Sequence, residues 1–259
     1  MRQRCRELYE YREMIRSMVR RDLRGRYKSS VLGFLWTFIN PLCQITVYTV
    51  VFSRIFRMEI DRYYLFLTVV MVPWVCFSAS IQGSAVAVVN QQDLVKKIYF
   101  PREVLPVSYV SGCFINMILS FLVVFALIAV TGSGFCLQAL AVLPVVVLVQ
   151  YMLCLGASLL ISACTVYLRD LEHIIGVLLM AWIYLTPVMY DISFIPKDLA
   201  AIFYLNPMTP IAAAYREILY YKRIPQINGL LVSLGVAFAV LLLGEVVFAG
   251  LQKNFVEEL

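Results

Sequence analysis

Long apolar segments alternate with short polar ones along most of this chain. From Val31 onward, six apolar segments approach the length of about 20 residues that a helix needs to cross a membrane. They cover residues 31–56, 64–89, 104–130, 137–167, 174–190 and 228–251. This pattern predicts an all-α membrane protein with six transmembrane helices.

The chain before the first apolar segment has a different pattern. Between residues 6 and 28, apolar residues recur at helical spacing, while Arg12, Arg16, Arg20 and Arg24 follow one another at every fourth position. Such a pattern is typical of an amphipathic helix that lies in the membrane interface. We therefore expect two units, an interface helix in residues 1–30 and a transmembrane domain in residues 31–259. The helix either anchors the chain to anionic lipid or also offers a contact surface to a cytosolic subunit.

A polar segment between the second and third apolar segments, residues 90–103, reads NQQDLVKKIYFPRE. Its charged residues exclude it from hydrocarbon. Leu94, Val95, Ile98 and Tyr99 are one helical turn apart, which predicts a short amphipathic helix that Pro101 ends. The helix is either a solvated connection or a docking helix for a cytosolic partner.

Composition supports the membrane assignment, because 62% of the residues are hydrophobic and 15% are charged, against about 45–50% and 25% in soluble domains. With the N-terminus inside, the inner segments hold 15 Lys and Arg residues and the outer segments hold 7. This excess predicts that both termini and residues 90–103 lie in the cytoplasm. The net charge of +6 lies beside membrane segments, so it does not indicate nucleic-acid binding.

The predicted external segment, residues 191–227, is too long and too apolar for a simple loop. It contains a short apolar piece from Leu199 to Leu205. Thr209 and Pro210 resemble an N-cap and a first helical position, which predicts a second short helix with the sequence IAAAYREILYY. Two re-entrant helices would satisfy their own backbone in the outer leaflet. They either only shape the surface or gate an external opening.

Chemical motifs of enzymes are absent from the sequence. There is no GxxxxGK[ST], GxSxG, HExxH or CxxC pattern, so we expect neither catalysis nor a metal, and no cofactor bound by this chain. The seven cysteines fall mostly in apolar segments and resemble small core residues. Apart from Glu245, carboxylates deep in the apolar segments are nearly absent, which argues against a proton-coupled carrier.

Several stretches together resemble one family, the ABC-2 type permeases that export polysaccharides. SSVLGFLWTFINPL (29–42) is similar to the start of its membrane domain, and LVKKIYFPREVLPVS (94–108) is similar to its cytoplasmic coupling segment. YLRDLEHIIGVLLMAWIYLTPVMY (167–190) resembles its fourth-to-fifth span region, and NPMTPIAAAYREIL (206–219) resembles its external gate helices. The resemblance runs from about residue 8 to the C-terminus.

The resemblance implies a half-transporter of the plasma (inner) membrane, in which two copies of the chain form a homodimer with twelve helices. Two separate P-loop ATPase subunits would bind the ATP and magnesium, and the cargo would be a polysaccharide on a lipid carrier. The residues that would contact the ATPase are Asp93, Lys96, Lys97, Phe100, Pro101 and Arg102. The residues of the external gate would be Asn206, Pro207, Thr209, Pro210, Tyr215 and Arg216.

A sugar polymer needs flat aromatic faces along its path, and five aromatic residues are candidates for such a belt. They are Tyr48, Phe52, Phe56, Tyr184 and Tyr190. The alternative is that they are ordinary aromatics of the membrane interface. Two other functions also fit the sequence, namely an ABC-2 exporter of a small lipid or drug and a membrane scaffold subunit that transports nothing.

Overall fold

The computed structural model of the chain describes residues 7–27, 33–57, 59–132, 134–196, 198, 203 and 205–259. All regular elements within these residues are helical, which confirms the all-α prediction. The α-helices, numbered here in chain order, are α1 (Arg12–Tyr27), α2 (Trp36–Thr49), α3 (Tyr63–Ala85), α4 (Gln92–Lys97), α5 (Val104–Val130), α6 (Leu137–Leu140), α7 (Leu143–Tyr167), α8 (Leu171–Leu185), α9 (Met208–Leu219), α10 (Ile227–Leu251) and α11 (Phe255–Glu258).

Among the described residues, four helical stretches are long and apolar enough to cross a membrane. They are Tyr63–Ala85, Val104–Val130, Leu137–Tyr167 and Ile227–Glu258, and they match the second, third, fourth and sixth predicted spans. The first predicted span is helical as well, but it changes type from a 3₁₀ turn (Gly33–Leu35) through α2 to a π-helix (Val50–Ile55). The fifth, α8, has 15 residues, about 22 Å, which is shorter than the hydrocarbon layer of about 30 Å.

The fifth predicted span ends earlier than the sequence pattern indicated. The apolar pattern continues to Tyr190, whereas the helix ends at Leu185. Thr186 is extended, with φ −110° and ψ 130°, because the residue before a proline is pushed out of the helical region. Residues 186–191 therefore form a non-helical segment at the end of α8.

The N-terminal helix is amphipathic as predicted. Met18 and Val19 of α1 are buried where the helix packs along α5, while the four arginines at every fourth position are exposed. The Ser108 hydroxyl of α5 lies 3.7 Å from the Met18 sulfur.

The centre of the bundle is formed by α3, which packs against α2, α5, α7, α8 and α9. The long helices α7 and α10 approach each other closely. A Cβ atom built on Gly156 of α7 would lie 2.5 Å from the backbone nitrogen of Leu241, and one built on Gly244 of α10 would collide with the backbone of Gly156. Small residues at such a crossing let two backbones approach closely in a membrane.

The bundle has two different ends. One end, called here the α1 end, holds α1, α4 and α11 around a separate hydrophobic cluster that includes Met18, Val95, Phe100 and Phe255. The opposite end, called the α9 end, contains α9 and the non-helical segment after α8. The polar segments 90–103 and 252–259 thus lie at the α1 end, and α9 and the non-helical segment 186–191 lie at the α9 end.

Candidate functional site

The polar segment 90–103 is built on its own hydrophobic cluster at the α1 end. Val95 is 4% exposed, Phe100 is 5% exposed, and both pack with Met18 of α1 and with Phe248 and Phe255 of the C-terminal helices. The segment is therefore fixed to the N-terminal helix and to both helices at the C-terminus. One hydrophobic cluster thus combines residues from three parts of the chain that are remote in sequence.

The outer face of this segment is basic and carries one protruding aromatic side chain. Asp93, Lys96 and Lys97 are exposed, and Tyr99 is 97% exposed. The Lys97 ammonium lies 4.0 Å from the Asp93 carboxylate, an exposed pair that contributes little to stability. We call Asp93, Lys96, Lys97 and Tyr99 the docking face.

The predicted helix of this segment is two residues too long. The sequence placed Ile98 and Tyr99 on its apolar side, whereas the structure ends α4 at Lys97, and Ile98 is extended with φ −129° and ψ 137°. Side chains alternate between the two sides of an extended chain, so Tyr99 points outward and Phe100 inward. Phe100 also precedes Pro101, which disfavours helical geometry at that position.

Arg102 is tied to the C-terminal segment of the same chain. Its guanidinium donates a hydrogen bond to the Gln252 carbonyl oxygen and lies 5.8 Å from the centre of the Phe255 ring. Of the six residues that the sequence assigned to ATPase contact, Asp93, Lys96 and Lys97 are exposed and Pro101 and Arg102 are partly buried, while Phe100 is buried.

An open groove of about 920 Å³ lies beside the docking face. Its walls come from the N-terminal helical region at Glu7 and Glu10, from residues 95–103, and from the C-terminal segment at Lys253 and Val256. The third wall, formed by the C-terminal segment, was not predicted from the sequence. A signal was present, since Phe255 is the one aromatic residue in the otherwise mostly polar ending QKNFVEEL.

At the α9 end, α9 is inserted into the bundle. Ten of its twelve residues are buried, whereas a helix on the surface of the bundle would leave one face exposed. The Tyr215 hydroxyl donates a 2.7 Å hydrogen bond to Gln150 of α7, and the Gln150 amide donates to the Pro73 carbonyl oxygen of α3 at 2.8 Å. These bonds link α9 to two long helices.

The start of α9 differs from the prediction. The helix begins at Met208, and Thr209 lies inside it instead of capping it. The N-cap residue is Pro207, and the Asn206 side-chain oxygen accepts a 3.0 Å hydrogen bond from the backbone N–H of Met208, the first residue of the helix. This bond satisfies one of the backbone donors that the start of a helix leaves without an intrahelical partner. Most of the first predicted re-entrant helix, residues 199–205, lies outside the described residues.

Asn206 also holds the end of α8. Its oxygen accepts a 3.0 Å hydrogen bond from the Trp182 indole N–H, and its NH₂ donates to the Leu185 carbonyl oxygen and to the Thr186 hydroxyl at 3.1 and 2.8 Å. One amide therefore uses all four of its hydrogen-bonding positions and joins α8 to α9.

Arg216 holds the non-helical segment after α8 from the other side. Its guanidinium is 4% exposed and donates to the carbonyl oxygens of Pro187, Val188 and Tyr190 at 2.9, 3.0 and 3.2 Å. It also lies 3.8 Å from the centre of the Phe66 ring. A guanidinium can supply several donors in one plane, which suits carbonyls that no helix satisfies.

Asp191 completes this connection at the surface. Its carboxylate accepts hydrogen bonds from the Ser193 backbone and from the Tyr221 hydroxyl, both at 3.0 Å. Partial burial raises the pKa of Asp191, but these hydrogen bonds outweigh it and hold the pKa below its ordinary value. Burial and the bond to Asp191 raise the pKa of Tyr221 to about 12.

The predicted aromatic belt separates into two groups. Phe52 stacks on Phe56 at 5.3 Å and on Tyr63 at 6.1 Å, and Tyr48 packs against the same core. Tyr190 donates a 2.5 Å hydrogen bond to the carbonyl oxygen of Tyr184, whose own ring is 62% exposed. Of the five residues, Phe56 and Tyr184 present the most exposed rings.

Comparison with known proteins agrees with the resemblance seen in the motifs. The model of a family described as ABC-2 type transporter matches residues 13–220. The chain is 36% identical over 256 residues to the O-antigen export system permease protein RfbA of Myxococcus xanthus, covering 98% of each chain. It is 30% identical over 237 residues to a Klebsiella pneumoniae protein of the same description, covering 92% of this chain and 91% of that one.

Proposed function

Since this chain belongs to the ABC-2 type transporter family, we propose that it is the membrane-spanning permease subunit of an ATP-driven exporter of a lipid-linked cell-surface polysaccharide. The observation that carries the proposal is the 36% identity to an O-antigen export permease over 98% of both chains. ATP and magnesium would bind to separate P-loop ATPase subunits.

The proposed path of energy from the ATPase runs through the docking face. Lys96, Lys97 and Tyr99 are exposed above a buried base formed by Val95 and Phe100. A rigid projection with exposed charges and one aromatic anchor is suited to a protein interface, where aromatic residues carry much of the binding energy. The adjoining groove, with the N-terminal helix as one wall, would receive part of the same partner.

We further propose that all six apolar segments cross the membrane, with both termini on the cytoplasmic side. Residues 33–55 are helical without interruption and long enough to span. The shorter α8 would reach the far interface through residues 186–191, where Arg216 donates to the carbonyl groups of Pro187, Val188 and Tyr190. Polar backbone at membrane depth needs such internal partners. The inserted α9 supports a re-entrant role at the external mouth.

Two copies of the chain would form the exporter. The exposed face of α8 carries Val177, Met180 and Tyr184, an apolar surface that a second copy would cover. Native mass spectrometry of the purified complex would give its composition. A mass equal to two permease chains and two ATPase chains is expected, and a stable complex with a single permease chain would contradict the dimer.

The first experiment captures the ATPase and uses two variants with the same change in charge. Lys96→Glu/Lys97→Glu alters the docking face, and Arg54→Glu/Arg57→Glu alters exposed residues at the α9 end. We expect the wild type and the second variant to co-purify with the exporter's P-loop ATPase, and the first variant to lose it. Equal retention by both variants would place the interface elsewhere.

The second experiment tests the cargo. The chain and its ATPase are expressed in cells that synthesise an O-antigen but lack their own export permease, and surface polysaccharide is measured with an antibody. Restored surface polymer is expected. Polymer that stays inside, in cells where the ATPase is bound to the permease, would favour export of a different lipid.

A further inference from the structure

A pocket of about 350 Å³ lies between α2, α3 and α5, away from the docking face and from α9. Its polar lining comes from Asn40 of α2 and from Asn116 and Ser120 of α5, and its aromatic lining from Trp36. The volume falls in the range of small-molecule sites, about 300–1,000 Å³. A few convergent polar groups in a mainly apolar pocket are also typical of such sites.

Asn116 is the observation that points to a ligand. Its side-chain oxygen is buried, and none of the residues that the structure describes donates a hydrogen bond to it. A buried acceptor without a donor destabilises a protein, because the desolvation of the polar group is not compensated. The residue also lies twelve positions into α5, about 18 Å along the helix, which corresponds to more than half of a hydrocarbon layer of about 30 Å. At that depth only another polar group satisfies it.

The lining residues select the class of ligand. The two amides offer both hydrogen-bond donors and acceptors. They therefore suit hydroxyl groups, which also donate and accept hydrogen bonds. No Lys or Arg is among the described residues that line the pocket, so a phosphate would find no counter-charge. A phosphatidylcholine head group has acceptors only and cannot donate to Asn116. The indole of Trp36 offers a flat apolar face of the kind that the C–H side of a sugar ring packs against.

We infer that this pocket binds a neutral sugar ring carried on a lipid chain, with Asn116 accepting a hydrogen bond from a ring hydroxyl. The inference rests on the proposed export of a lipid-linked polysaccharide and adds a sugar site within one copy of the chain. Trp36 is 39% exposed and Asn40 is exposed, so the sugar would enter along α2.

The test is equilibrium binding to the full-length chain in nanodiscs of dioleoylphosphatidylcholine. The probe is radiolabelled octyl β-glucopyranoside below its micellar concentration, and the competitor is tetraethylene glycol monooctyl ether, which has the same alkyl chain but no sugar ring. Asn116→Leu removes the acceptor, and Asn228→Leu, at an exposed position near the start of α10, is the matched control.

We expect saturable binding that unlabelled glucoside displaces and the ether does not. Asn116→Leu should weaken it about tenfold, as expected for one hydrogen bond, and Asn228→Leu should not. Asn116→Leu should also unfold at an equal or higher temperature than the wild type, because it removes an unpaired buried acceptor. Equal displacement by the ether, equal affinity in Asn116→Leu, or no saturable binding would each overturn the inference. Each of these results leaves ATPase capture and surface polymer, which test the export function, unaffected.

Discussion

The indole N–H of Trp182 donates a 3.0 Å hydrogen bond to the side-chain oxygen of Asn206. This contact joins a residue near the end of α8 to the residue that accepts a hydrogen bond from the first backbone N–H of α9. It therefore holds the inserted helix against the non-helical segment that follows α8. Opening the α9 end for a bulky cargo would require this contact, or the neighbouring ones of Arg216, to break and form again.

Asn206→Ala is expected to destabilise the protein. The substitution leaves the Trp182 N–H and the Leu185 carbonyl oxygen without their partner in a buried place, and each such loss costs about 1–3 kcal/mol. Thermal unfolding of the purified chain in detergent should show a midpoint several degrees lower. Asn228→Ala, an exposed asparagine on α10, should unfold like the wild type. Identical midpoints for all three proteins would show that the amide network contributes nothing.

Arg216→Lys is expected to impair the α9 end although it keeps the positive charge. A lysine ammonium cannot copy the planar fork that reaches three carbonyl oxygens and stacks on Phe66. We expect a lower unfolding midpoint and reduced surface polysaccharide, with ATPase capture unchanged because the docking face lies at the other end. Arg223→Lys is the control, since Arg223 is exposed, and its side chain makes one hydrogen bond, to Glu217, and lies 5.0 Å from the centre of the Tyr221 ring. Full export by Arg216→Lys would show that the charge alone suffices.

The long helices were predictable because about 20 successive apolar residues leave the chain no other stable arrangement in a membrane. The third predicted span, residues 104–130, matches α5 at both ends. Prediction was weaker at polar positions whose partners are remote in sequence. Asn206 and Arg216 were singled out as gate residues from a resemblance, but their partners at the end of α8 could not be found from spacing.

The polar segment 90–103 shows why a local sequence pattern can predict the wrong end of a helix near a proline. Four apolar residues at helical spacing predicted one continuous amphipathic helix, and that prediction was correct only through Lys97. The chain then turns extended so that Phe100 reaches Met18 and Phe255. This cluster combines residues about 80 and 150 positions away, so the local sequence contains no sign of it. The roles assigned to Asp93, Lys96 and Lys97 in ATPase contact remain predictions.

The crossing of α7 and α10 gives a test with an internal control. Gly156→Ala places a methyl group 2.5 Å from the Leu241 backbone nitrogen, so the two helices must move apart, at a cost of about 1–3 kcal/mol for overpacking. Gly235→Ala on the same α10 meets no atom within 4 Å and should be neutral or slightly stabilising, because alanine favours a helix over glycine. Unfolding midpoints of the two variants measure the difference. Equal midpoints would contradict the close crossing.

Variants of two adjacent aromatic residues, Tyr99 and Phe100, distinguish an effect on ATPase docking from an effect on folding. Tyr99 is 97% exposed and Phe100 is 5% exposed. Tyr99→Ala should leave the unfolding midpoint unchanged and weaken ATPase capture, because it removes a protruding anchor and no internal contact. Phe100→Ala should lower the midpoint strongly, since removing a buried phenylalanine costs about 3–5 kcal/mol, and should loosen the docking face only as a consequence.

Phe100→Leu distinguishes the two effects, because it keeps most of the buried apolar contact without the ring. If Phe100 acts by supporting the docking face, this variant should regain most of the thermal stability and most of the ATPase capture that Phe100→Ala loses. Recovery of stability without recovery of the ATPase would mean that the ring itself touches the partner, so that residue 100 must leave its cluster when the complex forms. Unchanged ATPase capture in Tyr99→Ala would remove the tyrosine from the interface and leave Lys96 and Lys97 as its candidate contacts.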